Sequence, residues 1–175
     1  TNHVQIPRVI LERHLVVTLT VDVMFVNGVP FLVSASRGLN LITAEYTPSR
    51  TAKLLAGGIR RIMDLYSRGG FQVGTVLMDN EFEKLTNLVP IIQINTTAAK
   101  EHVPEIERQI RLIKEQGRGI LNTLPFKKMP HLILNELIYH VVLWLNAFPL
   151  KNSGVLANLS PRELVIRHKL DFKKH

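Results

Sequence analysis

Three acidic residues, Asp22, Asp79 and Glu107, occupy positions where strands and a helix would present them to one site. Asp22 and Asp79 each close an apolar run of strand type, and Glu107 lies in the first turn of a helical pattern that begins at Pro104. Carboxylates that converge at strand ends bind divalent cations, and oxygen ligands of this kind select Mg²⁺ or Mn²⁺. The three acids therefore indicate metal-dependent chemistry.

Each acid also has an ordinary explanation when it is taken alone. An Asp at the end of an apolar strand is commonly a turn residue or the partner of a basic side chain. Glu105 and Glu107 suit the first turn of a helix because of the helix dipole, and Glu107 with Arg111 is a common i,i+4 pair. The metal site is favoured only if the elements that carry the acids converge.

Alternation, turn residues and helical periodicity predict the elements that position these acids. Asn27-Gly28 suits a tight hairpin turn, and period two places Asp22 on the more polar face of the first strand. A helix between two strands makes a crossover, so the fourth strand runs parallel to one of the first three and the sheet is mixed. The predicted elements are three strands within residues 15–46, the third being Leu41–Tyr46, a helix opened by Pro48 and Ser49 and ended by Gly69-Gly70, a strand Phe71–Asp79, a short helix Glu81–Leu88 and a strand Ile91–Asn95.

The helix predicted from Pro104 to about Leu121 has two distinct faces at ~100° per residue. The face expected to be buried carries Ile106, Ile110, Ile113, Gly117 and Ile120. Glu107 heads a flanking face that continues with Arg111, Lys114 and Arg118, three cations that we call the basic ridge. A ridge of this kind suits the phosphates of a nucleic acid. A solvated helix face is the alternative interpretation.

The chain has 175 residues, a formal net charge of +8 and no Cys. A disulfide scaffold, a thiolate metal site and a Cys nucleophile are therefore excluded. The 71 residues from Glu105 onward contain twelve basic and six acidic residues, and so hold six of the eight excess charges. A basic surface on one part of a domain favours a nucleic-acid partner.

The longest apolar stretch, Leu132 to Phe148, is interrupted by polar residues, and we expect no membrane contact.

The order of these elements and the places of the acids resemble the catalytic core of retroviral and retrotransposon integrases. The resemblance spans most of the chain and is closest to integrases of copia-type long-terminal-repeat retrotransposons. The similar segments are Val-Asp-Val-Met-Phe-Val-Asn-Gly-Val-Pro-Phe at 21–31, Leu-Met-Asp-Asn-Glu-Phe at 77–82, Glu-His-Val-Pro-Glu-Ile-Glu-Arg-Gln-Ile-Arg at 101–111 and Leu-Ser-Pro-Arg-Glu-Leu at 159–164.

The resemblance implies an α/β, ribonuclease-H-like fold with a five-stranded mixed sheet flanked by helices. It also implies that Asp22, Asp79 and Glu107 are catalytic and bind two Mg²⁺ or Mn²⁺ ions, in a polynucleotidyl transferase and endonuclease that processes retrotransposon DNA ends and joins them to target DNA. Only 27 residues separate Asp79 from Glu107, fewer than is typical of the family, and Glu105 is the alternative third ligand. A catalytically inactive or domesticated nucleic-acid-binding domain and a ribonuclease-H-type nuclease are the alternative functions.

We expect residues 1–14 to be an upstream linker, residues 15–150 the catalytic core, and residues 151–175 an extension that closes the core and ends in a basic tail. The expected partners are DNA and further copies of the chain, in a homodimer or higher oligomer. The helix around residue 140 is apolar on more than one face, so its second face either lies deeper in the domain or forms an interface between copies. Its expected core stripe is Leu134, Leu137, Ile138, Val141, Val142, Leu145 and Phe148, and its second apolar set is Ile133, Leu143, Trp144 and Ala147. The family resemblance implies a cytoplasmic particle before integration and the nucleus during it.

Overall fold

The first two strands form a hairpin whose turn follows from its residues. Strand β1 (Val16–Val26) pairs antiparallel with β2 (Val29–Ser36). Between them Asn27 and Gly28 both have positive φ, 50° and 80°. Gly and Asn tolerate that backbone, which matches the twist of the paired strands. Strand β3 (Ile42–Tyr46) then adds antiparallel to the outer edge of β2, so the predicted hairpin and third strand are confirmed.

The computed structural model describes residues 3–79, 84–85, 87–89, 93–96, 104–125, 129–151 and 155–172. In the part of the chain so described, the remaining elements flank or extend this hairpin. They are α1 (Arg8–Arg13), α2 (Ala52–Arg68), β4 (Gln72–Met78), β5 (Gln93–Thr96), α3 (Pro104–Thr123), α4 (His131–Leu145) and α5 (Pro161–Ile166).

The crossover through α2 makes the sheet mixed. Strand β4 pairs parallel with β1, and β5 pairs parallel with β4. The order across the sheet is β3-β2-β1-β4-β5. Four strands of five to eleven residues form its body, and the four-residue β5 lies at one edge. The predicted α/β class, a mixed sheet flanked by helices, is confirmed.

Two apolar clusters, one on each face of the sheet, hold the helices in place. On one face, Val17, Leu19 and Val21 of β1 pack in a cluster with residues of α2 and α5, such as Ile59 and Leu164. On the other face, β1 and β2 pack in a cluster with α3 and α4. The alternation of β1 therefore divides its side chains between two helical layers, as period two requires.

The start of the first long helix differs from the sequence prediction. Helix α2 begins at Ala52, not at Pro48 and Ser49. Those two residues form a bend after β3, where the Thr47 hydroxyl donates to Ser49 O at 2.7 Å. The predicted strand Ile91–Asn95 is present as β5, while most of the predicted short helix Glu81–Leu88 and the start of that strand lie outside the described residues.

Helix α4 buries the predicted stripe up to its last turn. Leu134, Leu137, Ile138, Val141 and Val142 are buried, and Leu145 is partly buried. Phe148 was expected in the same stripe, but that prediction is wrong. The helix ends at Leu145, so Phe148 leaves the helical face and is 54% exposed, stacked on Trp144 and Phe172.

The two ends of the described chain pack against the same side of the core. Val4 and Ile6 are buried in the cluster of α2 and α5, and the Val4 amide donates to Arg167 O at 2.7 Å. Residues 3–14, expected to be a linker, thus include α1 and two core side chains. The segment 155–172 closes the same cluster through Leu164 and Val165. The domain boundaries themselves stay a prediction.

Candidate functional site

Asp22 lies inside β1, which continues to Val26 because its outer half pairs with β2, so the prediction that Asp22 closes the strand is wrong. Its side chain lies on the face of β1 that is directed toward α3 and α4. Its neighbours Val21 and Val23 belong to the cluster of α2, whereas Met24, two residues further, belongs to the cluster of α3 and α4. Asp22 is half-buried, and its Oδ1 accepts a hydrogen bond from the Val23 amide at 2.6 Å. The carboxylate is therefore oriented by its own strand.

The register between β1 and β4 places Asp79 close to Asp22 in the sheet only because β4 contains one extra residue. The pairing runs from Val17 opposite Val73 to Thr18 opposite Thr75, so Gly74 bulges out of the ladder. Further along, Thr20 pairs with Leu77, and continuing that register sets Asp79 beside Asp22. Without the bulge, Asp22 would lie beside Met78, whose side chain packs on the opposite face with α2.

Glu107 and the basic ridge meet Asp22 across an open cleft of about 420 Å³. Ile106, Ile113 and Gly117 are buried as predicted, so α3 lies with its apolar stripe on the sheet. That orientation turns the flanking face toward β1. The cleft is lined by Asp22, Glu107, Arg111, Lys114 and Arg118, together with Glu115 and neighbouring residues of β1.

Glu105 occupies a different environment from Glu107. Its carboxylate forms an ion pair with Arg37 at 2.7 Å, and it lines a separate cavity of about 630 Å³ with Arg108 and Gln109. One helical residue separates the two glutamates, and at ~100° per residue they point about 160° apart. Of the two alternatives for a third ligand, Glu107 is the one that lines the cleft with Asp22.

The donor atoms of this cleft suit Mg²⁺ or Mn²⁺, because both ions prefer carboxylate oxygens. Asp22 and Glu107 share the cleft, but Asp79 is not among its lining residues. Within the described ranges, no three His, Asp or Glu side chains lie close enough together to hold a metal ion. The acids thus fit the ion in donor type, while the three carboxylates are not gathered at ligand distance.

Sequence reasoning missed two features of this region. The Phe25 ring, 44% exposed, borders the cleft, and the Arg50 guanidinium lies over it at 5.7 Å from the ring centroid. The pairing of Arg37 with Glu105 was not expected either. No local signal reveals such contacts, because the partners belong to elements that only the fold brings together.

Comparison with known proteins supports the fold. The chain matches no protein-family model and no curated protein. It is similar to the crystal structure of the catalytic core domain of BIV integrase, with 18% identity, a TM-score of 0.59, and coverage of 85% of this chain and 93% of that one. The fold is therefore ribonuclease-H-like, that of an integrase catalytic core. In the described part of the chain, no helix is long and apolar enough to span a membrane.

Proposed function

We propose that this chain, which has the fold of an integrase catalytic core, is itself a metal-dependent polynucleotidyl transferase acting on DNA ends. The supporting observation is the cleft in which Asp22 and Glu107 stand beside the three cations of the basic ridge. In that fold, a carboxylate inside β1, a second directly after β4 and a third in the first turn of α3 suit phosphoryl transfer. The segments quoted above favour a copia-type retrotransposon as its source, acting in the nucleus after transport in a cytoplasmic particle.

In this proposal the acidic side chains bind the metal ions and the basic side chains bind the DNA phosphates. Asp22, Asp79 and Glu107 would hold two Mg²⁺ or Mn²⁺ ions, which when bound supply activation of a water or DNA hydroxyl and stabilisation of the leaving oxygen. Asp79 would have to complete the site from the end of β4. The basic ridge would hold phosphates of the strand that leads away from the acids, and would position it without reading bases.

A second candidate is a nucleic-acid-binding domain of the same fold without catalysis. It is favoured by the finding that, among the described residues, the three carboxylates do not lie close enough together to bind one metal ion. Fold does not separate the two functions. Both predict DNA binding along the ridge, and only the first predicts that binding of a divalent ion brings Asp79 to the cleft.

A strand-joining assay with Mn²⁺ and a DNA end as substrate separates these functions. We expect Glu107→Gln to lower the rate by on the order of 10²-fold or more, because a ligand carboxylate contributes several kcal/mol to the transition state. Glu105→Gln is the matched control, and it should retain activity within a fewfold because Glu105 faces Arg37 and the other cavity.

The outcomes assign the site unambiguously. Equal losses in both variants would remove the distinction between the two glutamates. Activity that survives Glu107→Gln but not Glu105→Gln would transfer the ligand role to Glu105. If the unmodified chain binds DNA, joins no strands and shows no Mn²⁺ anomalous density between Asp22, Asp79 and Glu107, the non-catalytic candidate is correct.

We also propose that the chain forms a homodimer through the outer face of α4. Leu132 and Ile133 are exposed there, although the same helix buries its other side in the core. Sedimentation velocity provides the test. Ile133→Glu should shift a dimer to the monomer, whereas Leu54→Glu, at an exposed apolar position of α2, should leave the dimer intact. A chain that sediments as a monomer without any substitution contradicts the proposal.

A further inference from the structure

Beside the acid cleft lies a second, smaller cavity between the tip of the β1–β2 hairpin and helices α3 and α4, with a volume of about 140 Å³. Its floor is apolar and comes from Gly117 and Leu121 of α3 and from Leu137 and Ile138 of α4. There is free space beside Gly117. A Cβ at this position would have one neighbour within 4 Å, the Ile138 Cδ1 at 3.8 Å.

The rim of this cavity carries aromatic, polar and charged groups, which its floor lacks. Phe25 supplies an aromatic ring, Asn27 supplies an amide with two donors and one acceptor oxygen, and Lys114 and Arg118 supply positive charge. Phe25, Lys114 and Arg118 also line the acid cleft. The cavity and the cleft are therefore neighbouring compartments of one groove, with two cations of the basic ridge at their boundary.

The size of the cavity limits its occupant. Pockets that enclose whole drug-sized ligands measure ~300–1,000 Å³, so a space of about 140 Å³ suits one planar ring system and excludes a complete nucleotide. An apolar floor, an aromatic ring and an amide at the rim are the features that proteins use to hold an unstacked base.

We propose that this cavity, which we call the base pocket, binds one unpaired nucleobase of the DNA end. This inference rests on the proposed function, because the phosphate of the same nucleotide would lie on Lys114 and Arg118. The base would contact the Phe25 ring, and the Asn27 amide would reach its polar edge. Arg50, which lies over the Phe25 ring but lines neither compartment, would hold the ring at the rim.

Binding to DNA ends with and without a base at one position tests the proposal. Fluorescence anisotropy would compare a labelled duplex that carries a one-nucleotide overhang with the same duplex in which that nucleotide is abasic. The two ligands keep the same phosphates, so their affinities differ only through the base. We expect the overhang with its base to bind about 5- to 100-fold more tightly, which is the usual gain from stacking one base.

Two substitutions in the same helix provide a matched pair. Gly117→Leu should fill the base pocket, reduce the affinity ratio to about one and leave the affinity for the abasic end unchanged. Gly119→Leu makes the same chemical change at an exposed position with open space around it, and should retain the full ratio. Phe25→Ala is a second route to the same loss, and it requires no new group in the core.

Each result has a definite meaning. A ratio that falls in Gly117→Leu and Phe25→Ala but not in Gly119→Leu supports the base pocket. If the unmodified chain binds both ends tightly and equally, the base pocket is refuted and the proposed function stands. If it binds neither end, the proposed function itself fails.

Discussion

Asn146 is a buried polar side chain that connects the end of α4 to the edge of the sheet. Its Oδ1 accepts from the Ile42 amide at 2.9 Å, and its Nδ2 donates to Ile42 O at 2.7 Å and to Val142 O at 2.9 Å. Because β3 is an edge strand, Ile42 has no further strand on that side. One side chain thus satisfies backbone groups of Ile42 that are covered by α4.

Replacing this amide should be costly. We expect Asn146→Ala to lower the free energy of unfolding by about 2–4 kcal/mol, since two buried backbone groups lose their partner at ~1–3 kcal/mol each. Urea denaturation measures the change. Asn122→Ala, at an exposed position of α3, is the control and should change stability by less than ~0.5 kcal/mol. Similar values for the two variants would show that the Asn146 bonds contribute little.

At the level of the elements, the site depends on how β4 aligns with β1. The extra residue at Gly74 shifts the register by one, and this register, continued two residues past its last pair Thr20–Leu77, would set Asp79, and not Met78, next to Asp22. The strand approaches its neighbour closely at this point. A Cβ on Gly74 would lie 2.5 Å from the Val16 Cγ1. A larger residue at the bulge would therefore have to displace the Val16 side chain.

The close approach predicts a coupled pair of substitutions. Gly74→Ala should lower the free energy of unfolding by about 0.5–1.5 kcal/mol, because the exposed Val16 side chain must leave its preferred rotamer to make room. In a Val16→Ala background, where the clashing methyl group is absent, the same substitution should cost clearly less. Thermal or urea denaturation of the four proteins in the cycle gives the coupling. An equal cost in both backgrounds would show that the strain does not arise from Val16.

For the molecule as a whole, the uneven distribution of charge determines how it meets a polyanion. The net charge is +8, and the ridge of α3 places three cations along one cleft. Helix α2, on the other face of the sheet, also carries basic residues, among them Arg68 in its last turn. If only the net charge attracts DNA, removing a cation from α2 or from the ridge should have the same effect. If DNA phosphates bind the ridge, only the change in the ridge should matter.

The salt dependence of DNA affinity distinguishes total charge from local placement. Arg118→Gln should reduce the slope of log Kobs against log salt by about 1, since one phosphate contact is lost. Arg68→Gln removes the same charge from the opposite layer, and we expect its slope to match that of the unmodified chain. Equal changes in the two variants would mean that DNA responds to the net charge and not to the ridge.

How far the sequence leads depends on the range of the interactions involved. Three features were predicted correctly from the sequence. They are the turn at Asn27-Gly28, the alternation that puts Asp22 and Val21 on opposite faces of β1, and the burial of Ile106, Ile113 and Gly117. Each follows from the period of an element or from the backbone preference of a turn residue. These are interactions between residues close in the chain, and the ribonuclease-H-like fold class was reached from their order.

Contacts between distant segments were decided only by the tertiary structure. The bulge at Gly74, the bonds of Asn146 to Ile42, the ion pair of Arg37 with Glu105 and the space beside Gly117 have no local pattern. Each depends on the register or the packing distance between two elements, and a shift of one residue would abolish it. The sequence by itself determined which residues are available for chemistry and on which elements they lie. Only the packing of α3 against the sheet decided that Glu107, and not Glu105, shares a cleft with Asp22. The rotation of a helix about its axis, and therefore which side chains face its neighbours, is fixed only when one face is buried.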